Sequence, residues 1–196
     1  MGTRDEILDA AAKIMTEQGM ARATTKEIAK AAGYSEAALY RHFQDKTALF
    51  LGVLNERLPG LGNTLEDLRH DAGTGSVRGN LIKVATQAIE FYLASFPIAA
   101  SLFSSQELLT AHRDKLDAHD TGPNHPLDGL NMYLHMEQEG GRIRKSADTS
   151  AAASLLLGAC FQYAFLTLFN GITPSEDKIS EHATRLVKTL LDSLKP

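Results

Sequence analysis

An all-α fold is predicted by three observations. Apolar residues recur at three- and four-residue spacing along most of the chain, capping signatures and Gly or Pro breaks separate those stretches, and strand-like alternation is scarce. With 196 residues and 43% hydrophobic content the chain can bury one large core or two small ones. Its net charge of −4 is not that of a protein that coats nucleic acid generally, so charge has to be read locally.

The elements follow in chain order. Thr3 and Glu6 have capping-box spacing and open a helix that carries Ile7, Leu8, Ala11, Ile14 and Met15 to Gly19. Thr24 and Glu27 repeat that box at the start of a short helix. Ala29 is small enough for a helix crossing, Gly33 can take the positive φ that ends a helix, and Ser35 can cap a second short helix with Leu39 and Phe43 on its buried face. Glu36, Ala37, Tyr40 and Arg41 are left on another face, and the pair with its tight turn reads as a helix-turn-helix. Asp45 can cap the next helix and Lys46 then sits in its first turn, where backbone N–H groups attract phosphate. That pattern runs through Leu49, Phe50, Val53, Leu54 and Leu58 to a break at Pro59-Gly60, and resumes at Leu61 or Thr64.

Asp71 to Ser76 is a loop, after which a long helix from Val77 runs to Phe96. Pro97 is expected as the first residue of a further helix holding Ile98, Leu102, Phe103 and Leu108, and the polar run from Ala111 to Pro126 as a loop. Helices are expected from Leu127 to about Glu139 and from about Asp148 to Asn170. The last begins at a capping box from Thr173 to Glu176, with Pro174 at the first helical position, and repeats Ile179, Ala183, Leu186, Leu190 and Leu194.

Thr24, Thr25, Ile28, Ala29, Gly33, Ser35, Leu39, Tyr40, Phe43, Lys46, Leu49 and Phe50 together resemble the motif of the TetR family of one-component bacterial regulators. The resemblance implies an N-terminal three-helix helix-turn-helix DNA-binding head, residues 1–47, and a C-terminal helical ligand-binding and dimerisation bundle, residues 48–196. It places Ser35, Glu36, Ala37, Ala38, Tyr40 and Arg41 on or beside the face toward the major groove, and Thr25, Lys26, Tyr40, His42 and Lys46 at the phosphates. By base chemistry Arg41 can pair with guanine, Glu36 can accept from cytosine and the two Ala methyls can touch thymine. From Arg22 to Lys46 five Lys or Arg face three acids, a net +2 that suits two heads acting together on DNA. The resemblance also implies a homodimer through the last two helices and a palindromic double-stranded operator with half-sites about one helical turn or a small multiple apart.

The sensing half carries Tyr92, Phe96, Phe103, Met132, Tyr133, Met136, Phe161, Gln162 and Phe165, a concentration of aromatic or soft side chains with few polar atoms. Such a lining suits a small hydrophobic effector, although each residue alone is also ordinary core. Residues 149–175 hold no charge and are long enough for a membrane span; scattered Ser154, Gln162, Thr167 and Asn170 favour instead a helix buried between subunits, with no membrane partner. His112, His119 and His125 lie near Asp114, Asp117 and Asp120, but their spacing matches no metal motif. The lone Cys160 excludes an intramolecular disulfide, and a cytoplasmic location is expected. No catalytic set, phosphate loop or cofactor motif is visible. The expectation is a ligand-responsive repressor rather than an enzyme. The alternatives are a nucleoid-associated protein of the same fold acting through a protein partner, since SEAALYRHF also resembles nucleoid-occlusion proteins, and a small-molecule carrier or enzyme using the apolar cavity.

Overall fold

The computed structural model describes residues 2–20, 22–58, 60–118 and 122–195. In order, the helices are α1 (Thr3–Gln18), α2 (Thr25–Ala31), α3 (Glu36–Tyr40), α4 (Lys46–Glu56), α5 (Leu61–His70), α6 (Val77–Ala99), a 3-10 turn (Ala100–Ser104), α7 (Gln106–Ala118), α8 (His125–Glu139), α9 (Thr149–Phe169) and α10 (Glu176–Leu194). No strand occurs among the described residues, as the helical spacing of the apolar positions requires. Two compact units are formed, one from Met1–Leu58 with Ala94–Asp120, the other from Pro59–Leu93 with Thr121–Pro196.

The first unit has its own core of Ile7, Leu8, Met15, Ile28, Leu39, Phe43, Leu49, Phe50 and Val53, joined by Ile98 and Leu102. Gly52 lets α4 lie close to α1, since a Cβ there would stand 2.9 Å from Leu8 Cδ2 and 3.3 Å from Phe43 Cε1. Ion pairs fasten the same two helices at the surface: Arg4 reaches both Glu56 oxygens at 2.6 and 2.7 Å, and Arg57 pairs with Asp5 at 2.8 Å and Asp9 at 2.7 Å. The second unit is built on Leu61, Leu65, Leu81, Val84, Leu130, Tyr133, Leu156, Cys160, Ala183 and Val187. Inside it the Glu137 carboxylate is wholly buried, accepts the Gly73 N–H at 3.2 Å and pairs with Arg142 Nε at 3.1 Å, while Arg142 also donates to the Gly75 carbonyl at 2.8 Å. This polar knot ties the α5–α6 loop to the end of α8.

Several boundaries differ from those read in the sequence. The first helix is capped at Gly2, whose N–H reaches Asp5 at 3.4 Å, so Thr3 is already helical and its pairing with Glu6 is not the cap. Pro97 does not start a helix; it lies in the last turns of α6, where it removes a single ladder bond, and a 3-10 turn follows. The polar run after Ala111 is helical as far as Ala118, because Arg113, Asp114 and Asp117 occupy the solvent side of α7 while Leu109 packs inward. The helix after it begins at His125 with Pro126 in its first turn. Ser175, not Thr173, is the N-cap of α10, which leaves Pro174 outside the helix.

Candidate nucleic-acid interface

Local rules set the head. Thr24 Oγ1 accepts the Glu27 N–H at 3.2 Å while Glu27 accepts the Thr24 N–H at 3.2 Å, which fixes where α2 begins. Gly33 has φ +81°, and the Tyr34 N–H turns back to the Ala29 carbonyl at 2.8 Å, closing the helix and reversing the chain. Ser35 Oγ accepts the Ala38 N–H at 3.2 Å and starts α3; Asp45 does the same for Ala48 at 2.6 Å and starts α4. Leu39 and Phe43 are buried, so the rotation of α3 about its axis is set by the core.

That rotation decides what α3 presents. Ser35, Ala37, Tyr40, Arg41 and His42 are exposed, Glu36 and Ala38 half-buried. On α2, Lys26 is exposed and Thr25 half-buried. Burial at the start of α4 pulls the Lys46 ammonium below the usual lysine range. The structure also makes two links that no sequence rule announced. Thr25 Oγ1 donates to Glu36 Oε1 at 2.6 Å and lies 3.2 Å from the Tyr40 hydroxyl. Tyr34 donates to Glu6, pinning the turn to α1. Spacing puts Glu36 and Tyr40 on one face of α3, yet only the fold brings Thr25 across to them.

The residues read as an effector lining are distributed over both units. Phe96 and Phe103 belong to the first, with Phe103 on the 3-10 turn and exposed. In the second, the Tyr92 and Phe161 rings meet edge to face at 5.4 Å, and burial raises the Tyr92 hydroxyl to about 12. Met132 and Met136 are exposed on α8, whereas Tyr133 is in the core and accepts from Asn80 Nδ2 at 3.0 Å. Phe165 stacks on Phe169 at 6.0 Å. Gln162 lines an open groove of about 260 Å3 between α9 and α10, together with Tyr163, Leu166, Asn170, His182 and Leu186.

One side of α9 packs into the core through Ala152, Ala153, Leu156, Leu157, Cys160 and Ala164, and the other side bares Leu155, Phe161, Phe165, Leu166 and Phe169. By length and composition α9 could cross a membrane, although 39% of its apolar window is buried inside the fold. Cys160 donates to the Ala85 carbonyl at 3.6 Å, and burial pushes its thiol up to about 12, far from the range of a reactive thiolate. His112 is half-buried on α7 beside Phe50, His125 opens α8, and His119 and Asp120 lie outside the described residues, among which no trio of potential metal ligands occurs.

Comparison with known proteins separates head from body. Residues 7–53 match the family model described as bacterial regulatory proteins, tetR family. Over 187 residues, 94% of each protein, the chain is 27% identical to the HTH-type transcriptional regulator YvkB of Bacillus subtilis. It is 28% identical over 170 residues to the HTH-type transcriptional repressor Rv1474c of Mycobacterium tuberculosis, covering 78% of this chain and 88% of that one. The nucleoid occlusion factor SlmA of Aliivibrio fischeri is 52% identical, but over 52 residues, 26% of each chain. Among solved structures, a TetR-family regulator of Mesorhizobium loti superposes with a TM-score of 0.77 at 21% identity over 99% of this chain and 97% of its own. The FadR regulator of Bacillus subtilis, solved with stearoyl-CoA, gives 0.71 at 18% identity over 96% and 97%. The head over residues 7–53 is thus similar in sequence to that of the tetR family of bacterial regulatory proteins, and the whole length is similar in fold to TetR-family regulators.

Proposed function

We propose that this chain is a homodimeric transcriptional repressor that reads a palindromic operator and releases it when a small hydrophobic effector binds. The observation that carries the reading is the head. A five-residue helix, started by the Ser35 side-chain cap and rotated by Leu39 and Phe43, exposes Ala37, Tyr40 and Arg41 in a segment richer in base than the rest of the chain. Functionally, residues 1–47 are the reader and 48–196 the sensing and pairing body, in a cytoplasmic protein that needs no cofactor and does no catalysis.

Pairing is supported by the bare apolar side of α9 and the groove it shares with α10, since an apolar patch of that kind on a water-facing helix calls for a cover. A second copy of the chain supplies one with the symmetry a palindrome needs. An effector of low polarity is supported by the Tyr92–Phe161 contact beside a core with few charges. The FadR structure holds stearoyl-CoA, a ligand whose acyl chain is long and apolar.

The likeness to SlmA ends with the head, so a partner-driven output of that kind has no support from the body. Site selection from a random duplex pool at physiological salt tests the reading. Recovery of one palindrome with half-sites about a helical turn apart is expected; binding without consensus that vanishes as salt rises would overturn it.

A further inference from the structure

Two hydroxyls that the TetR resemblance assigns to phosphate are already engaged within the protein. Thr25 Oγ1 stands 2.6 Å from Glu36 Oε1 and 3.2 Å from the Tyr40 hydroxyl. A threonine hydroxyl has one proton and an ionised carboxylate has none to give. Thr25 therefore donates to Glu36, and the Tyr40 O–H is left to donate to Thr25. The outcome is a one-way chain, Tyr40 to Thr25 to Glu36, ending on an anion and shorter at its charged end, as charge-assisted bonds are. It spans two helices, so the carboxylate is held in place by the fold and not by the α3 backbone alone.

An acidic group on the reading face weakens binding to every duplex through phosphate repulsion. That loss is offset only where a base donates to it. In the major groove cytosine and adenine present amino groups, whereas guanine O6 and thymine O4 are acceptors that a fixed carboxylate repels. Without Thr25 and Tyr40 the side chain could rotate away from such a base and the discrimination would fade. We propose that Glu36 is a specificity-determining residue, positioned by Thr25 and Tyr40, which admits an amino-bearing base and rejects guanine or thymine at one symmetric position of each half-site. This inference rests on the DNA-reading function above.

The test is site selection followed by affinity measurements on duplexes differing only at that position, with the full-length protein and the variants E36A, E36Q and T25V. The wild type is expected to prefer cytosine or adenine there by about tenfold or more. E36A should remove that preference and bind mismatched duplexes more tightly than the wild type does. E36Q, whose amide can donate, should newly admit guanine or thymine, a gain that misfolding cannot produce. T25V keeps the carboxylate and is expected to narrow the preference at that one position only. If T25V weakens all duplexes equally, Thr25 is a phosphate contact and the positioning role is overturned. A wild type that selects a palindrome while E36A retains every base preference overturns this inference alone; a wild type that selects no consensus overturns the DNA-reading function with it.

Discussion

Arg41 ends α3 with an exposed guanidinium, five donors in a rigid fork whose geometry suits the paired acceptors of guanine. Arg41→Ala is expected to cost about 1–3 kcal/mol on the selected operator and to flatten preference at one position. Titrations against matched and mismatched duplexes decide the matter, because equal loss on all of them would make Arg41 a phosphate contact. Cys160 makes a prediction of the opposite kind. With its thiol buried and raised to about 12, it should be inert to a thiol reagent in the folded protein and react fully in denaturant; rapid labelling of native protein would contradict its packing. Legibility at this scale followed range. Thr24, Ser35 and Asp45 act on N–H groups three residues on, so their roles can be read from a short window. Thr3 misled because Gly2, one residue earlier, can also cap and Asp5 answers it. The direction Tyr133 faces, and the Thr25–Glu36–Tyr40 chain, depend on which residues the fold brings opposite, and no local spacing encodes that.

Helix α9 is apolar on all sides, and the fold uses only part of it. Replacing Leu166 and Phe169 together with Glu places charges on the bare side while leaving Leu156, Leu157 and Cys160 in the core. The variant is expected to sediment as a monomer at micromolar concentration and to keep its helical content; an unchanged dimer mass would show that the pairing surface lies elsewhere. The Glu137 knot gives a second expectation. Arg142→Ala leaves a wholly buried carboxylate without its cation, a loss of about 3 kcal/mol or more for a pair of this type, readable as a lower urea midpoint. Hydrogen bonding to Arg57 holds the Asp5 carboxyl below the usual aspartate range, and Arg4 does the same for Glu56. Both groups are depressed on folding, so their contribution is complete above their ordinary values, near 3.8 and 4.5, and is lost as pH falls below them. The all-helical order was legible from periodicity, because each long helix has at least one buried stripe. The ends of α6 and α7 were not, since a proline in a final turn and a polar solvent face both resemble a loop in one dimension.

At the scale of the whole molecule the proposed function is a coupling between two binding equilibria, and coupling is reciprocal. An effector that releases the operator must bind more tightly to the form that does not fit DNA, and operator DNA must then weaken effector binding by the same factor, on the order of 5–150-fold for typical allosteric coupling. The operator recovered by site selection supplies the DNA, and a panel of neutral and weakly polar hydrophobic compounds, acyl thioesters among them, supplies candidate effectors. Thermal shift finds those that bind, and two titrations follow: effector into free protein and into the protein–operator complex, and operator into free and effector-loaded protein. Equal ratios from the two pairs are the expected outcome. A compound that raises Tm but leaves operator affinity unchanged is a ligand of the fold and not its signal, since a molecule with equal affinity for both forms shifts no population however tightly it binds. Should every binder behave so while the palindrome is still read, the repressor would be one whose release depends on something other than a small molecule, and the sensing role of Tyr92 and Phe161 would fall while the role of the head stood.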